Sequence, residues 1–220
     1  MKTLQKFGGV AALYLAAAYL IGMVIFLVVL DYPSITDPAE KVALLVEMQM
    51  VTFSTNLLMY VFFGIFLIVL SLALYDRLKS VAPAMIQMAT VVGIIWAGSL
   101  IASGMVANAG IAPVVALYAK DPAQAALTWQ GVETMASGLG NGNGEILGGL
   151  WALLVSLAAL RSGEFPRGLN ILGLLVGAVG FLSIIPGLTE LMTGVFGLSQ
   201  IIWYIWLGIV LLRRNLGQTA

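Results

Sequence analysis

Cysteine and histidine are both absent from the 220 residues, and only 9% of the chain is charged. Without cysteine there is no disulfide, and without either residue the usual ligands of zinc, copper and haem iron are missing. The usual general base is missing too. No cofactor is expected, and any chemistry falls to carboxylates or to plain binding. Basic and acidic residues balance at ten each, and no basic run offers a nucleic-acid footprint, so nucleic acid is not an expected partner. The shortage of charge also excludes an ordinary soluble domain, in which about 25% of residues are charged.

What fills the chain is hydrocarbon: 61% of residues are hydrophobic. A single soluble core cannot bury that much apolar side chain, so the lipid bilayer is the expected solvent and partner. The reading is an all-α, polytopic membrane helical bundle in one integral membrane domain. Its six transmembrane helices cover about 10–30, 51–76, 84–109, 138–160, 169–185 and 191–212. Lys2 and Lys6 before the first apolar run resemble the start of a signal peptide. That run exceeds the 7–15 residues of a signal-peptide core, so a retained first span is expected.

Asp37-Pro38 reads as an N-cap with proline at the first helical position. From there a long helix is expected to run through Glu47, become fully apolar near Leu57 and end at Asp76-Arg77-Leu78-Lys79. Residues 110–122, with Pro113, read as a loop. All seven prolines then fall at span boundaries, as the missing N–H and fixed φ of proline require. Six spans with cytoplasmic N- and C-termini place eight lysines and arginines inside, against Lys41 and Lys120 outside. That asymmetry follows the positive-inside rule and implies a multi-pass protein of the cell inner (plasma) membrane. Ser71-Leu-Ala-Leu and Ser156-Leu-Ala-Ala each precede a cytoplasmic turn, a faint echo of spans 2–3 in spans 4–5.

One polar stretch interrupts the oil. Residues 133–151 read ETMASGLGNGNGEILGGLW. If helical throughout, Glu133, Ser137, Asn141, Glu145 and Gly149 form one i, i+4 stripe. Glu145 lies sixteen residues before Arg161, about 24 Å along a helix, which puts it in the outer part of the hydrocarbon. An acidic residue at a helix centre costs about 2.5–3.5 kcal/mol to insert, so Glu145 should face the bundle interior, neutral or met by donors. Asn141, Asn143, Ser103 and Gln200 are the candidate partners, and Asn56 lies at similar depth. These six residues make the candidate ligand-binding set; no catalytic or metal-binding set is singled out. Alternating Gly138, Gly140, Gly142 and Gly144 also permit a broken helix, each glycine costing about 1 kcal/mol against alanine in a helix interior. Trp129 reads as an interfacial anchor, and Trp203 and Tyr204 as packing or lipid-facing aromatics.

Three phrases carry a family resemblance. Leu74-Tyr75-Asp76-Arg77-Leu78-Lys79 closes span 2, Gly148-Gly149-Leu150-Trp151 opens the core of span 4, and Phe165-Pro166-Arg167-Gly168-Leu169-Asn170, with Gly173, links spans 4 and 5. In order and spacing they resemble the bacterial integral-membrane family filed as domain of unknown function 4386. The resemblance implies an all-helical bacterial membrane protein and brings no activity, substrate or site residue with it.

Three functions compete. The first is a binding or accessory protein that holds a small amphiphilic ligand or lipid in an outward-facing polar pocket, or that joins a homo-oligomer or larger membrane complex. The second is a proton-coupled secondary transporter using Glu145. The third is an intramembrane enzyme with carboxylate acid and base. Glu133 and Glu145 lie about 18 Å apart on a continuous helix, too far for a paired-carboxylate site, and this reading ranks last.

Overall fold

In hydrocarbon the backbone must bond to itself, and the apolar runs accordingly fold as helices. The computed structural model describes residues 2–140, 142 and 144–213, and among these no strand occurs. The helices are α1 (Lys2–Val24), α2 (Pro38–Glu47), α3 (Gln49–Asn56), α4 (Phe63–Leu78), α5 (Pro83–Tyr118), α6 (Pro122–Leu139), α7 (Ile146–Ser162), α8 (Arg167–Leu182) and α9 (Thr189–Arg213). Wider π turns extend α1 over Ile25–Val29 and join α3 to α4 over Leu57–Phe62. Among the described residues four helical stretches are long and apolar enough to cross a membrane: Thr3–Val29, Gln49–Leu78, Pro83–Tyr118 and Thr189–Arg213. The apolar helices Ile146–Ser162 and Arg167–Leu182 are shorter.

The cap expected at Asp37 starts α2, and one not anticipated starts α6. The Asp37 carboxylate accepts from Ala39 N at 2.9 Å, with Pro38 behind it. Asp121 does the same for α6, accepting from Gln124 N at 3.0 Å.

Three expectations need correction. The helix from Pro38 is not continuous: it breaks at Met48 (φ −109°, ψ 26°). The 110–122 loop is mostly helix, because α5 runs on to Tyr118 with Pro113 inside it. Burial outweighs the lost proline hydrogen bond there: Ile111 and Val114 pack with Val42, Leu45, Ala125, Ala126 and Trp129 in a core of their own. Finally, 138–160 is not one helix, since α6 ends at Leu139 and α7 begins at Ile146. The stripe from Glu133 to Gly149 is therefore interrupted.

The chain divides into two compact units. The first comprises Met1–Ala17, Gly64–Gly98 and Asn143–Ala220. Its packed pairs fall into antiparallel register. On α1 and α4, Gly8 meets Ala73 and Tyr14 stacks on Phe66. On α1 and α9, Gly9 meets Leu212 and Leu13 meets Gly208. On α5 and α7, Gly93 meets Trp151 and Trp96 meets Gly148. On α7 and α8, Gly149, Leu153 and Ser156 meet Gly180, Gly177 and Gly173 in turn. On α8 and α9, Gly168 meets Trp206 and Gly173 meets Trp203. Where α4 and α7 end, Arg77 donates from Nε to Glu164 Oε2 at 2.8 Å and from Nη1 to Gln5 Oε1 at 3.2 Å.

The second unit comprises Ala18–Phe63 and Ser99–Gly142. Besides the Trp129 core it holds α6 against α5, with Gly110 meeting Val132 and Ser103 bonding to Ala136.

Candidate functional site

The glycine run places Glu145. Gly144 sits at φ +83°, where a side chain is strained, and a Cβ there would lie 2.8 Å from the Ser183 carbonyl oxygen. Only glycine lets the chain turn this close to the end of α8. Glu145 then opens α7 as its N-cap residue, its backbone N donating to Ser183 Oγ at 2.7 Å. Ser183 Oγ in turn donates to Gly180 O at 2.7 Å. Glu145 is only 7% exposed. The residue thus stands at the positive end of a helix, although its side chain makes no cap hydrogen bond to the first-turn amides.

Below it, α7 and α8 touch backbone to backbone: a Cβ on Gly180 would lie 2.6 Å from the Gly149 Cα. On α8, Gly173 and Gly177 form a small-residue ridge that continues to Gly180, facing Gly149, Leu153 and Ser156. From α9 the same unit receives Gln200 and Tyr204, both with no exposed surface. Tyr204 lies within electrostatic reach of Glu145. Its hydroxyl also interacts with the Gln200 side chain, one turn away, without meeting strict hydrogen-bond geometry.

Of the candidate set, Glu145 and Gln200 therefore fall in the first unit. Ser103 and Asn56 fall in the second, where each is already engaged. Buried Ser103 donates to Ala136 O at 2.7 Å, tying α5 to α6. Buried Asn56 donates from Nδ2 to Asn108 Oδ1 at 2.9 Å, and Asn108 donates to Phe53 O at 3.2 Å just before the π turn. Asn141 and Asn143 lie outside the described residues. Ser183 was not anticipated. Counting equal lengths up α7 and α8 from their short connection would have brought it level with Glu145.

A second polar group was also unanticipated. Tyr32 donates to the Glu133 carboxylate and accepts from Trp129 Nε1 at 3.2 Å. Lys41 Nζ stands 4.0 Å from Glu133 Oε1 and 4.8 Å from the Tyr32 ring centroid. Burial, and then the bond to Glu133, hold the Tyr32 hydroxyl well above the ordinary tyrosine range, so it stays protonated. Trp129, expected at the membrane interface, is buried in the core with α2 and α5. This group is a clasp that fastens the α1–α2 connection to α6.

The second unit also carries a groove of about 400 Å³ lined by Ile25, Met50, Val51, Ser54, Thr55 and Leu58. Thr55 donates to Val51 O at 2.7 Å, leaving the lining mostly apolar. Among the described residues no three acidic side chains stand together as metal ligands.

Arg77, Trp151, Phe165, Asn170 and Gly173 are all packing or turn residues in this geometry. Arg77 bonds Glu164, Asn170 Nδ2 donates to Phe165 O at 3.4 Å, and Trp151 and Phe165 are buried. No curated protein and no solved structure matches the chain. A family model does match, over residues 9–214, which takes in all of these positions, and the chain belongs to that family, described as Domain of unknown function (DUF4386).

Proposed function

We propose that this is an integral membrane protein of six crossings, with both termini on the cytoplasmic side of the plasma (inner) membrane. We further propose that Glu145 holds the polar end of a small amphiphile or lipid. The alternating register of the first unit supports the six crossings. Each of α1, α4, α5, α7, α8 and α9 runs antiparallel to at least one helix it packs on, and α1 and α9 meet near the outer ends of the sequence, Gly9 against Leu212. At 1.5 Å per residue α7 and α8 reach about 24–26 Å, slightly under a ~30 Å hydrocarbon core. The charged turns at their joined end and the glycine run at the other complete the span.

The observation that carries the ligand reading is a carboxylate 7% exposed at the start of α7, directly after an interruption in a helical path. Interrupted helices line polar cavities in membrane proteins. A buried carboxylic side chain at a helix start, in the same unit as the buried Gln200 amide, suits a head group with hydrogen-bond donors, such as a hydroxylated or amine-bearing one. Gln200 is the second ligand-facing residue of this reading. Asn141 and Asn143 both precede the acidic residue in sequence, and Ser103 and Asn56 serve as helix ties.

The test is native mass spectrometry of the full chain released from lipid nanodiscs. Glu145→Gln is expected to retain at least about tenfold less bound amphiphile than the parent, while Glu190→Gln retains it unchanged. Equal retention by the parent and Glu145→Gln defeats the reading.

The interruption itself favours a second reading, a proton-coupled carrier in which Glu145 exchanges a proton during the transport cycle. Proton flux into proteoliposomes that is the same for the parent and Glu145→Gln eliminates it.

A further inference from the structure

Polar atoms sealed inside a bundle are expensive when they bond to nothing, about 1–3 kcal/mol each, and native interiors satisfy them, with ordered water where protein groups do not. Of the atoms so placed among the described residues of the first unit, four fall into two matching arrangements. Ser71 Oγ on α4 and Trp151 Nε1 on α7 are buried and make no hydrogen bond among the described residues. Both lie over Gly93 on α5: a Cβ placed there would be 2.5 Å from the hydroxyl and 2.6 Å from the indole nitrogen. Ser156 Oγ on α7 and Trp203 Nε1 on α9 are buried and unbonded in the same way. They lie over Gly173 on α8, where a Cβ would be 2.0 Å and 2.6 Å from them.

The two arrangements repeat in order and in sense. Serine stands on one helix, glycine on the next helix of the unit and tryptophan on the one after. The successive helices are α4, α5 and α7 in one case and α7, α8 and α9 in the other. The serines are those of the Ser-Leu-Ala phrases at 71 and 156, so the faint sequence echo has a structural counterpart.

The distances set the guest. Two atoms 2.5 Å and 2.6 Å from one point are at most 5.1 Å apart, and for the second pair the limit is 4.6 Å. One oxygen making hydrogen bonds of about 2.8–2.9 Å spans either gap. The guest must accept, because an indole N–H only donates. It must also be uncharged to rest in this apolar setting, and small, because Trp151 and Trp203 pack ring to ring at 5.6 Å. We propose that the first unit holds two equivalent internal water sites, Ser71–Trp151 across Gly93 and Ser156–Trp203 across Gly173. Each binds one water that accepts from the indole and bonds to the serine hydroxyl. This inference does not depend on what Glu145 binds.

The test uses the full chain in nanodiscs with ¹⁵N-labelled indoles, which give five N–H signals for five tryptophans. Ser71→Ala should shift the signal of Trp151 alone, and Ser156→Ala that of Trp203 alone, which assigns them. In the parent protein both indole protons should show cross-relaxation with water, undiminished on dilution of detergent or lipid. If neither does, the indoles bond directly to the serines and the proposal falls. If only one does, the equivalence falls. Where a serine variant fails to fold, the signal lost in Trp151→Phe or Trp203→Phe makes the assignment, and the parent spectrum is then read in the same way.

Discussion

Tyr32 ties the α1–α2 connection to α6 with one oxygen, donating to Glu133 and accepting from Trp129. Tyr32→Phe removes both bonds and leaves Trp129 Nε1 to find another acceptor. A hydrogen bond to a charged group is worth about 1.5–3 kcal/mol, and the partial exposure of Glu133 places the loss near the lower end. Thermal unfolding followed by tryptophan fluorescence should show that destabilisation, and a variant as stable as the parent would contradict it. The pH dependence has a definite sign. The folded hydroxyl is held above the ordinary tyrosine range by burial first and by Glu133 second. Its stabilising contribution is therefore complete below about pH 10, the unfolded value, and declines as pH rises beyond that. The alkaline limb of the stability curve should flatten in Tyr32→Phe. Glycine residues divide by what surrounds them. A Cβ on Gly180 would meet the Gly149 Cα at 2.6 Å, whereas one on Gly98 would meet nothing within 4 Å. Gly180→Ala should cost about 1–3 kcal/mol by overpacking. Gly98→Ala should be neutral or stabilising by up to about 1 kcal/mol. Thermal melts of the two variants side by side check the contrast.

Helices were legible in the sequence wherever apolar runs were long, since oil leaves the backbone no other arrangement. Their interruptions were less so. Pro113 reads as a breaker, yet α5 continues through it because Ile111 and Val114 belong to a core made by α2 and α6, which lie far from it in sequence. Met48 carries no breaking signal, yet the helix from Pro38 divides there. The glycine run offered both an intact and a broken helix; the positive φ of Gly144 and the Glu145–Ser183 bond are the local events that accompany the break. Among the candidate residues, Glu145 stood out as an acid within an expected span, and the residue is buried. Ser183 did not stand out, because serine hydroxyls in spans usually bond to their own helix, and Tyr204 read as a packing or lipid-facing aromatic. Gly144→Ala is the test at this scale. It must hold a left-handed residue about 1–2 kcal/mol above its preferred state and crowd the Ser183 carbonyl. Circular dichroism should report unchanged helix content with a lowered melting temperature. A variant that melts with the parent would contradict the tight approach of this turn to Ser183.

At the scale of the whole molecule, the proposed six crossings and cytoplasmic N-terminus predict which turns face outward. The absence of cysteine gives labelling a clean background. A membrane-impermeant maleimide applied to intact cells should label Lys120→Cys and spare Lys79→Cys, which should react only after the cells are opened. The reverse pattern inverts the topology, and labelling of both from outside removes a crossing. The central claim is that the buried carboxylate which opens α7 meets a guest and not only the protein. The most direct measurement is an experimental structure of the full chain in lipid. The account predicts density for a polar head group about 3 Å from the Glu145 carboxylate, continuing into an apolar tail. A carboxylate closed in on every side by this chain's own atoms would contradict it.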